Sequence, residues 1–270
     1  MLFRSSPTKV KLSFTTLAKD APPRTWHVSV NGDDRNDGLS LEKAWRTVTQ
    51  AAQRAVAGDT VMIHAGTYEE TVTVRNTGDA QAPVTFRAAP GEVVWFDSSN
   101  RTRSIAFNVQ SKHYLRIDGL RFRSFNFVPH ADAVINLRGG SNHTITRCLA
   151  DGRVFNGYSG SLVRAENSDQ LRIENCVAVG NMAEAFVMSR VPRATIQHCV
   201  FYNVNIRELT NFSWNIDYRL ELSHNLFCDV IPSKVNNPLL RVFHLENLVD
   251  RKSTRLNSSH SSVSRMPSSA

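Results

Sequence analysis

The sequence predicts an all-β fold, a parallel β-helix, from three observations. Five stretches share one pattern, in which apolar and polar residues alternate before a further apolar residue or a cysteine. Aligned on their central apolar residue, they recur every 23 to 28 residues, at Ile117, Ile145, Ile173, Ile196 and Leu222. The alternation has a period of two, which is typical of a strand. A fixed repeat of this length indicates a solenoid, because each unit buries its apolar face only against its neighbours.

A helix is predicted ahead of the repeats, after a short strand at residues 26–30 and a loop rich in Asn, Asp and Gly. Ser40 is the predicted N-cap of a helix over about residues 41–57, and Gly58 ends it. Apolar residues of this segment, among them Ala44, Trp45 and Val48, fall on one helical face. Because the exposed edge of a first coil needs covering, we expect this helix to cap the solenoid.

Four further strands are predicted between the helix and the repeats, at residues 60–64, 71–75, 84–88 and 93–96. Within the repeats, apolar residues also recur eight and ten positions before each aligned residue, which indicates a second strand in every coil. Side chains alternate across a strand, and adjacent coils lie about 4.8 Å apart. The outward positions of this second strand should therefore form one polar patch, made of Asn108, Gln110, Asn136, Arg138, Arg164 and Glu166.

Three segments are expected along the chain: a flexible N-terminal extension at 1–24, the β-helix domain at 25–249 and a tail at 250–270. The tail contains DRKSTRLNSSH and SRMPSSA, which resemble two successive parts of a translated sequencing adapter. We expect a disordered, non-native tail and a natural chain that ends near Val249, which would leave the β-helix truncated at its C-terminus. An ordinary Ser-rich terminus is the alternative.

Composition excludes several classes of function. No apolar run approaches the roughly 20 residues that a membrane-spanning helix needs, and residues 1–20 lack the continuous apolar centre of a signal peptide. Four basic residues and Asp250 give the tail a net charge of +3, so the formal charge of +8 falls to +5 without it. That value is too mild to indicate a nucleic-acid partner.

Three of the four cysteines, Cys148, Cys176 and Cys199, occupy the same position of successive repeats. This placement favours small buried side chains in a stack, with disulfide or metal use as the alternative. No acidic cluster indicates a Ca²⁺ site, and no cofactor is evident.

The segments WHVSVNGDDRNDG, GDTVMIHAGTYEETVTV and APVTFRAAPG, followed by YLRIDGLRF, resemble the N-terminal part of the pectin-lyase-like superfamily. They are especially similar to alginate and chondroitin lyases of the chondroitinase B type. The resemblance spans about residues 25–249 and implies a right-handed, single-stranded coil. It also implies an acidic polysaccharide partner and a secreted or cell-envelope location, and it makes Ca²⁺ possible because Ca²⁺ assists some of these lyases.

The resemblance implies that the patch forms the substrate groove of a polysaccharide lyase. Arg138 and Arg164 would pair with a uronate carboxylate and acidify the C5 proton, which a base then removes in β-elimination. Glu166 would hold an arginine or take part in proton transfer, and His130 and Tyr158 would contact sugar from neighbouring loops. The alternative is a solvated ion pair on an outward strand face.

Two other functions remain open, a non-catalytic glycan-binding or surface β-helix and a polygalacturonase-type hydrolase. The hydrolase is disfavoured because its paired carboxylates are not visible: the outward strand face shows only Glu166. The catalytic residues are not identified, since the resembled lyases carry their base and acid on later coils.

Overall fold

A computed structural model describes residues 22–98, 103–125, 133–153, 161–180, 186–204 and 219–228, the last range with side chains at 221–226 only. Almost all of the predicted extension and the whole predicted tail lie outside these residues. The elements, in chain order, are β1 Thr25–Val28, α1 Val48–Arg54, β2 Thr60–Ile63, β3 Gly66–Tyr68, β4 Val72–Thr73, β5 Val84–Ala88, β6 Val94–Asp97, β7 Phe107–His113, β8 Leu115–Asp118, β9 Arg121–Arg123, β10 Ala133–Thr146, β11 Leu149–Asp151, β12 Ser161–Glu166, β13 Asp169–Glu174, β14 Val177–Val179, β15 Phe186–Ser189, β16 Arg193–Gln197, β17 Val200–Tyr202, β18 Arg219–Ser223 and β19 Leu226–Cys228.

The strands stack into three parallel ladders, and each coil from β4 to β17 contributes a strand segment to all three. The first ladder contains β4, β7, β10, β12 and β15, the second runs β1-β2-β5-β8-β10-β13-β16-β18, and the third runs β3-β6-β9-β11-β14-β17-β19. The long β10 serves two ladders, because its first half pairs with β7 and β12 and its second half with β8 and β13. The predicted parallel β-helix is confirmed.

The predicted register is also confirmed, and it places the core inside the coils. Ile117, Ile145, Ile173, Ile196 and Leu222 are consecutive partners in the second ladder, and all are buried. In the first ladder the inward positions are buried too, and they are Phe107, Val109, Ile135, Leu137, Val163, Ala165, Phe186 and Met188. Full burial of one such large side chain stabilises the fold by roughly 1.5–3 kcal/mol, so the stacked columns are the main source of stability.

A column of left-handed residues turns the chain from the second ladder into the third. Arg147, Asn175 and His198 have φ of 53°, 54° and 54°. The residue after each of them points inward, and in three coils it is the cysteine predicted to stack there. Cys148, Cys176 and Cys199 are buried and free of disulfide bonds.

The helix that precedes the repeats is shorter than predicted. It covers Val48–Arg54 with Thr47 as its N-cap, so the predicted span of about 41–57 and the cap at Ser40 are wrong. Trp45 forms a parallel bridge with Val28 instead, because its N–H donates to the His27 carbonyl at 3.0 Å. The helix packs against β1, β2 and β4 of the first coils, as expected of a cap.

Candidate functional site

The first ladder brings six of the predicted site residues together on its outward face, in two columns. Asn108, Asn136 and Arg164 are consecutive partners in one column, and Gln110, Arg138 and Glu166 are partners in the next. Equivalent residues of adjacent coils lie about 4.8 Å apart. We call these six residues, together with Arg190, the basic patch. The other two predicted site residues, His130 and Tyr158, lie outside the described residues.

The centre of the basic patch contains buried polar atoms that no described residue satisfies. Asn136 is only 2% exposed, and the Arg164 side chain is 13% exposed. The Asn136 Oδ1 and the Arg164 Nε have no hydrogen-bond partner in the described part of the chain. A buried polar group without a partner costs about 1–3 kcal/mol, so any hydrogen-bond partner that reached these two atoms would stabilise the patch.

Glu166 joins two guanidinium groups at the edge of the basic patch. Its Oε2 lies 3.6 Å from Nη2 of Arg164, and its Oε1 accepts a hydrogen bond of 2.9 Å from Nη2 of Arg190. Sequence reasoning missed Arg190, which stands one residue beyond β15 with a φ of 54°. The sequence contains one signal for Arg190. It directly follows Ser189, which occupies the same outward column as Glu166 in the next coil.

The rim of the basic patch is exposed, and its floor becomes apolar towards the start of each strand. Gln110 is exposed, and its Nε2 donates to the Asn108 Oδ1 at 3.5 Å. At the opposite end the outward-facing Val134 and Leu162 are 2% and 0% exposed. The start of each strand therefore belongs to the hydrophobic core, and the exposed arginines of the patch are Arg138 and Arg190.

A concave feature lies on the second ladder, at residues for which the sequence predicted no site. It is a groove of about 560 Å³ that we call the axial groove. Its lining residues are Ala80, Pro83, Tyr114, Asn142, Thr144, Gln170, Leu171, Arg172, Arg193, Ala194, Thr195 and Glu221. The outward position just before each aligned isoleucine would have revealed this floor, since it carries Thr144, Arg172 and Thr195.

The basic patch does not fit Ca²⁺, which the family resemblance made possible. Calcium takes 6–8 oxygen ligands, several of them carboxylates, whereas Glu166 is the one carboxylate among the patch residues and two arginines engage it. Within the described ranges, no group of three or more His, Cys, Asp or Glu residues is arranged to hold a metal ion. The same ranges contain no helix long and apolar enough to cross a membrane.

The three ladders and their left-handed turns define a parallel β-helix protein. Residues 26–185 match the family described as Pel9A-like, right handed beta helix region. The chain belongs to this family, and the coil is accordingly right-handed.

Relatives and solved structures share parts of this architecture. The chain is 33% identical over 123 residues to the uncharacterized protein YwoF of Bacillus subtilis, covering 43% of this chain and 26% of that protein. It is 26% identical over 122 residues to alpha-1,3-galactosidase A of Akkermansia muciniphila, covering 39% and 20%. The chain thus spans about a quarter or less of either relative.

Among solved structures, a rhamnogalacturonan lyase is similar at 17% identity with a TM-score of 0.47, covering 77% of this chain and 66% of that chain. Pectate lyase Pel9A is similar at 18% identity with a TM-score of 0.47, covering 77% and 61%. These likenesses concern the fold.

Proposed function

We propose that the chain forms part of a carbohydrate-active β-helix protein that binds acidic, uronate-containing polysaccharide on the basic patch and cleaves it by β-elimination. The observation that carries the proposal is the pair of buried, unsatisfied atoms at the patch centre, Arg164 Nε and Asn136 Oδ1. Membership of a Pel9A-like family supports the choice of substrate class. An extracellular or cell-envelope location, where such polysaccharides occur, belongs to the same proposal.

A uronate residue supplies the two kinds of partner that these atoms need. Its carboxylate accepts hydrogen bonds from a guanidinium, whose planar fork matches it, and Arg164 presents such a donor. Its neighbouring hydroxyl donates, and Asn136 Oδ1 is an acceptor. Glu166 faces the guanidinium only through Nη2 at 3.6 Å, so a uronate carboxylate would give Arg164 Nε the charged acceptor that a neutral sugar lacks.

Arg190 and Glu166 hold the Arg164 guanidinium in place for this contact. The Glu166 carboxylate lies between the two arginines at 3.6 and 2.9 Å, so the three groups carry a net charge of +1. The excess attracts an acidic chain, and its effect falls as ionic strength rises.

Neutralising the uronate carboxylate prepares the elimination. The negative charge that develops at C5 is delocalised into the carboxylate, which a guanidinium stabilises. A base then takes the C5 proton, a double bond forms between C4 and C5, and the C4–O bond breaks as its oxygen gains a proton. The described residues do not identify the base, so the proposal assigns Arg164 to binding and charge stabilisation alone.

The proposal is tested by binding to pectate, alginate and chondroitin, with Arg164→Gln as the variant and Arg116→Gln as the matched control. Arg116 also faces outward, on the second ladder, beside Asp118 at 3.7 Å, so the control removes the same charge outside the patch. Loss of a charge-assisted hydrogen bond of about 1.5–3 kcal/mol predicts a roughly ten- to hundredfold weaker affinity for Arg164→Gln alone. Affinity electrophoresis at fixed ionic strength measures it.

The outcomes separate the alternatives. Equal, small losses in both variants would mean that binding is non-specific attraction to net charge, and the site assignment would fail. Ultraviolet absorbance of an unsaturated product reports elimination. Selective binding without that product favours a glycan-binding protein, whereas new reducing ends without unsaturation favour a hydrolase.

A further inference from the structure

We propose that the axial groove is a second saccharide-binding site, which takes a neutral, hydroxyl-rich oligosaccharide laid along the solenoid axis. The groove lies on the second ladder and the basic patch on the first, so the two are separate faces of one coil. The proposal does not depend on the lyase activity assigned to the basic patch.

The floor of the groove is a straight column of outward residues. Thr144, Arg172, Thr195 and Glu221 are consecutive partners on β10, β13, β16 and β18. With a coil spacing of about 4.8 Å, the column extends roughly 14 Å along the axis. One pyranose residue lengthens a glycan by roughly the rise of one coil, so a chain of about four sugars would place one ring over each floor residue.

One wall of the groove is built from left-handed turn residues. Tyr114, Asn142 and Gln170 stand at the same place in three successive coils, with φ of 52°, 61° and 54°. Tyrosine and glutamine are uncommon in this region of backbone space, where Gly and Asn are favoured. At these positions the chain therefore accepts a conformational cost while keeping long polar side chains along the groove.

Both arginines that line the groove are paired with carboxylates of the protein itself, which argues against an acidic ligand and for a neutral one. Arg172 Nη1 lies 3.1 Å from Oε1 of Glu174. Arg193 makes two hydrogen bonds to Asp169, and these hold the pKa of that carboxyl below its usual range. Each of these arginines already has a hydrogen-bonded or closely paired carboxylate, whereas Arg164 of the basic patch has Glu166 only at 3.6 Å and an Nε without a partner among the described residues.

The remaining lining is suited to sugar hydroxyls. The side chains of Asn142, Gln170, Thr144 and Thr195 each combine a donor with an acceptor, which is what a run of hydroxyl groups requires. Tyr114, half-buried beside Pro83 at one end of the groove, offers a ring face on which a pyranose can stack. An extended peptide would instead pair with a sheet edge, whereas this groove runs over a sheet face.

The test measures binding of three neutral oligosaccharides, xylohexaose, cellohexaose and β-1,4-galactotetraose, by isothermal titration calorimetry on the full chain. Tyr114→Asn removes the ring and keeps a residue that tolerates the left-handed backbone, as Asn142 does in the next coil. We expect it to weaken binding about tenfold. Thr195→Ala should weaken binding roughly three- to tenfold through one lost hydrogen bond.

Thr85→Ala is the matched control, because Thr85 faces outward in the same column but does not line the groove. It should bind as the unmodified protein does, and Arg164→Gln should also leave neutral binding unchanged. No binding of any neutral probe, or binding that Tyr114→Asn and Thr195→Ala leave intact, would overturn the proposal. The two proposals can fail separately. If Arg164→Gln alone loses pectate binding and no neutral probe binds, the axial groove is not a saccharide site, whereas the function proposed for the basic patch is retained.

Discussion

His143 provides a direct test of how the solenoid interior tolerates charge. The imidazole is 1% exposed and stands in register with Leu171 of the next coil. Neither ring nitrogen makes a well-formed hydrogen bond with any described residue. Burial, assisted by the nearby His113, lowers the pKa of His143 from 6.5 to about 4.

The sign and size of the pH effect follow from this shift. Because the folded-state pKa lies below the unfolded value, the unfolded chain binds the extra proton first as pH falls. The stability linked to His143 is therefore complete above about pH 6.5 and is lost between that value and about pH 4. A shift of this size corresponds to about 3 kcal/mol at the acidic end.

His143→Leu extends the column that Leu171 already occupies and removes the titrating group. We expect the variant to unfold with less pH dependence than the unmodified protein, by about 3 kcal/mol between pH 7 and about pH 4. At pH 7 it should be more stable by about 1–2 kcal/mol, since a buried unsatisfied polar group is gone. Urea unfolding followed by circular dichroism across this pH range measures both.

Leu171→Met supplies the control, because it makes a volume-conserving change at the position paired with His143 and alters no titrating group, so the pH dependence of unfolding should stay as in the unmodified protein. If the unmodified protein and His143→Leu lose stability in parallel as the pH falls, then His143 is not a buried neutral imidazole. The assignment of the interior columns in that coil would then be wrong.

Two further predictions concern backbone geometry and the cap. Gly140→Ala should lower the free energy of unfolding by more than about 2 kcal/mol, because φ is +91° and the new Cβ would lie 1.7 Å from the Lys112 carbonyl oxygen. Gly91→Ala is its control: it shares a positive φ of +77° but has open space, so its loss should stay near 1 kcal/mol, and an equal loss in both would contradict the steric argument. Glu70→Ala should lower the melting temperature through a loss of about 2 kcal/mol, since Glu70 accepts hydrogen bonds of 2.8 Å from both the Val48 and Thr49 N–H groups. Glu70→Gln, which keeps one acceptor oxygen, should cost about half as much, and an equal loss in both variants would show that the two hydrogen bonds to the helix do not act as described.

The sequence predicted the ladders well because alternation fixes register directly. A one-residue slip would have turned Ile117 and Ile145 outward, so their mutual alignment was strongly determined. The helix start was mispredicted for a physical reason. Ala44 and Trp45 satisfy a helical pattern, but Trp45 gains more by stacking on Trp26 at a centroid distance of 4.9 Å and bonding β1. Tertiary packing overrode local periodicity there.

The candidate site was predictable in composition and less so in electrostatic detail. Alternation alone placed Arg164 and Glu166 on the outward face, where the structure has them. It could not show that Asn136 is buried, since outward positions are ordinarily solvated, nor that Arg190 reaches back across a coil to Glu166. The axial groove was missed because its wall consists of turn residues whose side-chain directions depend on a left-handed φ that the pattern does not encode.

Each strand of the coil pairs only with the strands of the coils just before and after it. The molecule therefore holds together as a linear chain of links and not as a globule with a shared centre. A charge forced into one link, such as a proton on His143, weakens two interfaces and leaves the more distant ones intact. Acid therefore acts first at the coil that contains this residue, and coils further along the stack are affected only through the interfaces between them.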